Sequence, residues 1–158
     1  EAKLSYETVQ FFNGDPVMAL ISYSNFGTDE VGSPVTVHNA VDTLQRLYPD
    51  MLVDGEMQMN FALNRELRDE KYPFTRIKGK NVNTLVFPGM NSANASYKLL
   101  QALAPAEVEV IGPIQMGLNK PIHFTDFEAS VRDIVNVTAI AVIDAYVEKV
   151  KQHKFYKK

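Results

Sequence analysis

The stretch Val17-Met18-Ala19-Leu20-Ile21-Ser22-Tyr23-Ser24 restricts the fold more than any other part of the chain. It is apolar almost without interruption and shows no alternation, as a strand does when both of its faces are covered. Strands of that kind belong to parallel sheets sandwiched between helices. The flanking sequence supplies the helices. Leu4, Val9, Phe11 and Phe12 favour a first helix, closed by Asn13-Gly14-Asp15-Pro16. A polar, Gly-containing loop from Asn25 to Ser33 leads into a helix holding Val37, Val41, Leu44 and Leu47, which breaks at Pro49.

The alternation continues. A short strand, Met51 to Asp54, precedes a helix that begins near Met57 and runs through Phe61, Ala62 and Leu67. The polar stretch RDEKYPFTRIKGKN then leads to a strand over Thr84 to Phe87 and a helix over Asn91 to Leu103. Strands over 107–111 and 122–124, separated by the loop 112–120, come before a last helix from Glu128 to about residue 151. Strands alternating with helices across short loops predict an α/β chain, three layers in the order α/β/α, with a mostly parallel sheet. Ligands of such sheets bind beyond the C-terminal ends of the strands. That rule selects Ser24 to Thr28, Asp54 to Gln58, Pro88 to Asn94 and Thr125 to Ser130.

Within 158 residues, a formal charge of −3 gives no general reason to approach nucleic acid or an acidic membrane. The basic tail KVKQHKFYKK reads as a helix C-terminus whose lysines complement the macrodipole. The absence of cysteine removes disulfides and thiolate catalysis, and fits a reducing cytoplasm. The run Ile134 to Val147 is too short and too polar to span a bilayer, and the first residues do not read as a signal peptide. The expectation is a cytoplasmic protein with neither nucleic acid nor membrane as partner.

Asn91, Ser92 and Asn94 crowd the start of a helix. One of them suffices as an N-cap; three also suit a helix N-terminus that faces phosphate or carbonyl oxygen, with Lys98 two turns further on. Asp54-Gly55-Glu56 is either acid/base machinery or a turn followed by a dipole-complementing acid, and Gln58 offers an amide nearby. His38, His123 and His153 lack the spacing of a metal site. Ser22 and Ser24 lie outside any G-x-S-x-G context, and neither nucleotide-binding glycine fingerprint is present. The last helix is apolar nearly all round and reads as buried between layers. Asp133, near its start, therefore either pairs with a neighbour or faces a cleft.

Taken together, LISYSNFGT (20 to 28), VDGEMQMNFAL (53 to 63), NVNTLVFPGMNSANASYKLL (81 to 100), IGPIQMGLNKPIHF (111 to 124) and SVRDIVNVTAIAVIDA (130 to 145) resemble the phosphotransacetylase family in order and spacing. SNFG and SVR-x-IVN are closer to the phosphotransacetylase-like C-terminal region of the large bacterial NADP-dependent malic enzymes. Phosphotransacetylases usually carry a Ser-Arg pair ahead of the acid that matches Asp133, at the positions occupied here by Asp126 and Phe127. The resemblance places that pair at the acyl-transfer centre, where the Arg holds an anionic acyl phosphate. A carboxylate and a ring in its place remove the clamp and add repulsion.

The resemblance thus implies no catalytic residue in this chain but retained acetyl-CoA recognition, with Lys98 and Lys71 meeting CoA phosphates and Asn91, Ser92, Asn94 and Asp133 lining the cleft. It implies a two-lobed fold, with residues 1–120 forming most of the inserted lobe and 121–158 returning to the other. It further implies a regulatory and assembly role, a homo-oligomer, and a malic enzyme catalytic domain elsewhere in the same polypeptide that carries NADP and a divalent metal. An active phosphate acetyltransferase and a ligand-free oligomerisation module are the alternatives.

Overall fold

The computed structural model describes residues 1–105, 108 and 110–155, the stretch from 148 by backbone alone. The helices are α1 (Ala2–Phe11), α2 (Ser33–Leu47), α3 (Met59–Leu63), α4 (Arg65–Lys71), α5 (Met90–Leu103) and α6 (Val131–Phe155), and the strands are β1 (Val17–Ile21), β2 (Leu52–Met57) and β3 (Thr84–Val86). Two compact units result, Glu1–Leu99 and Leu100–Lys158. No helix among the described residues is long and apolar enough to cross a membrane.

The first unit is built around β1, buried at every position. It pairs in parallel with β2 on one side and β3 on the other, in the order β2-β1-β3. Side chains alternate along the pleat. Met18 and Leu20 face one way, into a core with Ala2 of α1, Val37 and Val41 of α2, and Val53. Val17, Ala19 and Ile21 face the other way, against Met57, Ala62 of α3 and Ile77. The expected three-layer arrangement follows from that double burial. Asn83 fixes the register where the strands begin: its Oδ1 accepts from Val17 N at 2.9 Å and its Nδ2 donates to Asp15 O at 2.8 Å.

Several expectations change. β1 stops at Ile21, short of Ser24. β2 runs on to Met57, so Asp54-Gly55-Glu56 lies inside a strand and does not follow one. The helix expected from Met57 is two helices, α3 and α4, divided at Asn64. The Asn64 carboxamide accepts from Leu67 N at 3.0 Å and caps the second helix. The expected strand 107–111 falls partly outside the described residues, and Val108, Val110 and Ile111 are not in strand. Residues 122–124 form no strand either, because their unit offers no described strand to pair with.

The last helix is not buried all round. Asp133, Asn136, Val137, Ile140, Ala141 and Asp144 make one covered or half-covered stripe at helical spacing. Val131, Val135, Val142 and Tyr146 lie off it and are exposed. Among the described residues of its unit the chain between α5 and α6 is irregular, and one side of α6 is covered.

Candidate functional site

Local backbone chemistry anchors two loops, the one that follows β1 and the one that leads into β3, on β2. Its pairing with β1 slips between Leu20 and Ile21, which face Gly55 and Met57 and leave Glu56 as the extra residue of a bulge. Gly55 adopts φ 140°, and a Cβ there would come within 2.7 Å of Leu20 O. Only glycine fits this crossing. The bulge directs the carboxylates of Asp54 and Glu56 to different partners.

Glu56 is fully buried. Its Oε1 accepts from Gly27 N at 2.7 Å and from Ser24 Oγ at 3.1 Å, and its Oε2 lies 2.9 Å from His38 Nδ1 on α2. The Glu56 carbonyl accepts from Phe26 N at 2.8 Å. Asn25 Oδ1 accepts from Gln58 N at 2.8 Å, and Gln58 Nε2 donates to Tyr23 O at 2.7 Å. The loop after β1 is thereby fixed in a shape that puts Phe26 at φ 48°, an uncommon region for an aromatic residue, and Gly27 at φ 82°.

Asp54 holds the second loop. Its Oδ2 accepts from Thr75 Oγ1 at 2.5 Å and from Arg76 N at 2.8 Å. Arg68, also fully buried, donates to Ile77 O at 3.1 Å and to Lys80 O at 2.7 Å. Asp69 pairs with Arg68 at 3.1 Å and accepts from Gly79 N at 2.7 Å. Buried charges demand such partners. Asp54 and Glu56 therefore act as loop anchors, and the acid/base reading of the pair finds no exposed carboxylate at either position.

The residues singled out for ligand binding sit as follows. Lys71 ends α4, exposed and without a hydrogen-bond or ion-pair partner among the described residues. Asn91, Ser92 and Asn94 open α5, all exposed. Ser92 Oγ donates to Gly89 O at 2.9 Å, so one of the three serves the helix start itself. Lys98 is exposed, its Nζ 5.6 Å from the Tyr97 ring centroid. The three small polar residues and Lys98 share one helix; Lys71 stands on another element of the same unit. Near the start of α5, a groove of about 670 Å³ lies between α1 and α2, floored by Leu20, Val37, Val86 and Phe87.

Asp133 belongs to the second unit and forms a capping box. Its Oδ2 accepts from Ser130 N at 2.8 Å and Ser130 Oγ at 2.7 Å, while Ser130 Oγ accepts from Asp133 N at 3.2 Å. Those bonds, chiefly that from the Ser130 hydroxyl, hold the carboxyl below its ordinary range. In the same unit Phe127 is fully exposed. The His123 side chain is 3% exposed, with Nε2 4.0 Å from Asp144. Among the described residues no cluster of three or more His, Asp or Glu has the geometry to hold a metal ion.

Sequence reasoning missed an aromatic cluster beside the first loop. Phe26 packs on Tyr72 and Phe74 with ring centroids 4.7 and 5.1 Å away, and Phe61 lies 5.1 Å from Tyr72. Its local trace in the sequence is the interleaving of aromatic and basic residues in KYPFTRIKGK.

Comparison with known proteins gives the same family from each direction. The chain is 38% identical over 142 residues to an NADP-dependent malic enzyme of Escherichia coli strain K12, covering 90% of this chain and 18% of that protein. It is 39% identical over 133 residues to a phosphate acetyltransferase of Clostridium acetobutylicum, covering 84% of this chain and 39% of that one. A solved phosphotransacetylase from Streptococcus pyogenes superposes with a TM-score of 0.80 at 33% identity, over 93% of this chain and 43% of that one. The EutD phosphotransacetylase from Staphylococcus aureus gives 0.77 at 27%, over 92% and 43%. The chain thus spans under a fifth of the malic enzyme and about two-fifths of the others. The family described as phosphate acetyl/butaryl transferase matches residues 2–142, and this chain belongs to it.

Proposed function

We propose that the chain is the phosphotransacetylase-like region of an NADP-dependent malic enzyme, a regulatory and assembly module that responds to acetyl-CoA and performs no chemistry itself. The observation that carries this reading is Asp126-Phe127, standing where the resemblance to phosphotransacetylases calls for a Ser-Arg pair. A carboxylate repels an acyl phosphate and a phenyl ring cannot hold one. The exposed apolar residues of α6 support an assembly role, since contiguous exposed apolar surface marks interaction sites.

On this reading, residues 1–120 are most of one lobe and 121–158 the return to the other. NADP, the divalent metal and malate decarboxylation belong to a catalytic domain in the same polypeptide. The second reading, an active phosphate acetyltransferase, draws on the 39% identity to the clostridial enzyme. Acetyl phosphate formation from acetyl-CoA and phosphate at ordinary enzymatic rates refutes the first reading in favour of the second. Titration calorimetry of acetyl-CoA into the full-length protein, with Lys98→Ala beside it, tests the effector role. Absence of heat at high micromolar acetyl-CoA, together with malate oxidation that ignores acetyl-CoA, leaves assembly alone.

A further inference from the structure

One ring nitrogen of His38 faces a buried acid and the other an exposed one. Nδ1 lies 2.9 Å from Glu56 Oε2, and Glu56 is fully buried. An ionised carboxylate only accepts hydrogen bonds, so in the uncharged ring the hydrogen stays on Nδ1 and the lone pair stands on Nε2. Glu56 is itself held through Oε1 by Gly27 N and Ser24 Oγ, which fixes the orientation of the ring as well as its tautomer. A carboxylate behind an imidazole in this way orients metal-ligating histidines and raises the basicity of the outer nitrogen.

Asp42 stands one turn further along α2, and its Oδ2 is 3.8 Å from His38 Nε2. That separation is too long for a hydrogen bond. Two ligand atoms held about 2.0–2.1 Å from one tetrahedral ion stand roughly 3.3–3.4 Å apart, and an exposed carboxylate can supply the small remaining movement. Neither Nε2 nor the Asp42 side chain makes a hydrogen bond among the described residues. Spacing among the histidines alone overlooks this pair, because the second ligand is a carboxylate at i+4 on the same helical face. We infer that His38 Nε2 and Asp42 form a bidentate surface site for a divalent transition metal ion of the zinc, cobalt, nickel or copper class, with Glu56 as the group that orients the histidine. Imidazole beside carboxylate selects such ions over magnesium and calcium, which prefer oxygen. Water completes the coordination, since no third acid or histidine joins the pair among the described residues. With two protein ligands the site is open and exchangeable, and neither residue belongs to the ligand set of the acetyl-CoA reading.

The test is a zinc titration of the 158-residue chain, followed at the histidine ring nitrogens by NMR and, in parallel, by urea unfolding. The chain has three histidines, so His38→Gln assigns the signal. Zinc should shift His38 Nε2 at a lower concentration than it shifts the other rings. Asp42→Ala removes one ligand at an exposed position and should weaken zinc binding at His38 about tenfold or more. Glu56→Gln leaves both ligands in place, but its amide can donate to Nδ1 and move the ring hydrogen to Nε2; binding should weaken about 10- to 100-fold, as on loss of an orienting partner. Only the folded helix presents both ligands together. Zinc at ten times its dissociation constant should therefore lower the unfolding constant about 11-fold in the parent and leave it unchanged in Asp42→Ala. Magnesium at the same concentration should do neither. Binding at His38 within twofold of the parent in Asp42→Ala overturns the inference, as does the same result in Glu56→Gln or zinc that fills another histidine first. Asp42→Ala keeps the test open if Glu56→Gln does not fold.

Discussion

Removing the carboxylate of Glu56 should release the loop after β1. In Glu56→Ala the part-buried Gly27 N–H loses its acceptor at 2.7 Å, the carboxylate of a fully buried side chain. Orphaning a part-buried donor costs about 1–2 kcal/mol, the lower part of the range for a buried one, and the void left by the side chain adds about 1 kcal/mol. Ser24 is less affected, because its Oγ also meets Thr28 Oγ1 at 2.9 Å and accepts from Asp29 N at 3.0 Å. His38 is 40% exposed and can turn to water. The sum is about 2–3 kcal/mol, which opens the loop about 30- to 150-fold more often. Glu56→Gln keeps an oxygen for Gly27 and Ser24 and places an amide opposite His38 Nδ1. It exchanges charge-assisted bonds for neutral ones and should cost about 1–2 kcal/mol. Amide exchange at Gly27, followed by NMR, reads the local opening directly, and urea titration reads the unit. If Gly27 exchanges no faster in Glu56→Ala, or if Gln is the more damaging substitution, Glu56 is not the anchor.

Gly55→Ala should lose at least about 3 kcal/mol or fail to accumulate, since φ 140° is closed to alanine and its Cβ meets Leu20 O at 2.7 Å; a melting point near that of the parent would refute the crossing geometry. Arg68→Lys keeps the charge but not the planar fork that reaches Ile77 O and Lys80 O, and should cost about 2–4 kcal/mol in urea, with Gly79 and Lys80 amides losing protection first. The folded state depresses the Asp133 carboxyl, so its contribution is complete above the ordinary 3.8 and disappears as the pH falls through the lower folded value. Carboxyl NMR should find a midpoint under 3.8, and Asp133→Asn should abolish the acid-side loss of order at the α6 N-terminus; a midpoint at or above 3.8 contradicts the capping box.

The unbroken run at Val17 identified β1, and its double burial identified the layers, because backbone groups buried on both faces leave the sequence little polar option. The bulge was not legible. Asp54-Gly55-Glu56 looks like a strand ending because acids and glycine are poor strand formers, and only the tertiary partners of each carboxylate show why they continue it. α6 misled in the opposite direction. Its apolar periodicity speaks of faces to be covered but not of which chain segment covers them. The capping box at Ser130 and Asp133 was present in the spacing, while in the cluster of Phe26, Phe61, Tyr72 and Phe74 only the local pair Tyr72 and Phe74 could show in a sequence pattern, Phe26 being too distant.

The anchors on β2 grip their loops by main-chain amides and by small hydroxyls, at Gly27, Arg76, Ser24 and Thr75. They ask nothing of the Phe26, Phe74 or Lys78 side chains. Mutation can therefore revise what the rim recognises while the loops keep their path, and the intolerance is concentrated in a few strand residues. Deleting the residue between Asp54 and Glu56 would turn one of the two carboxylates to the opposite face and release its loop, whereas many substitutions at the rim would leave the architecture unmoved. Shape and specificity are inherited separately in this unit, and a lineage could lose an old ligand and acquire another without refolding.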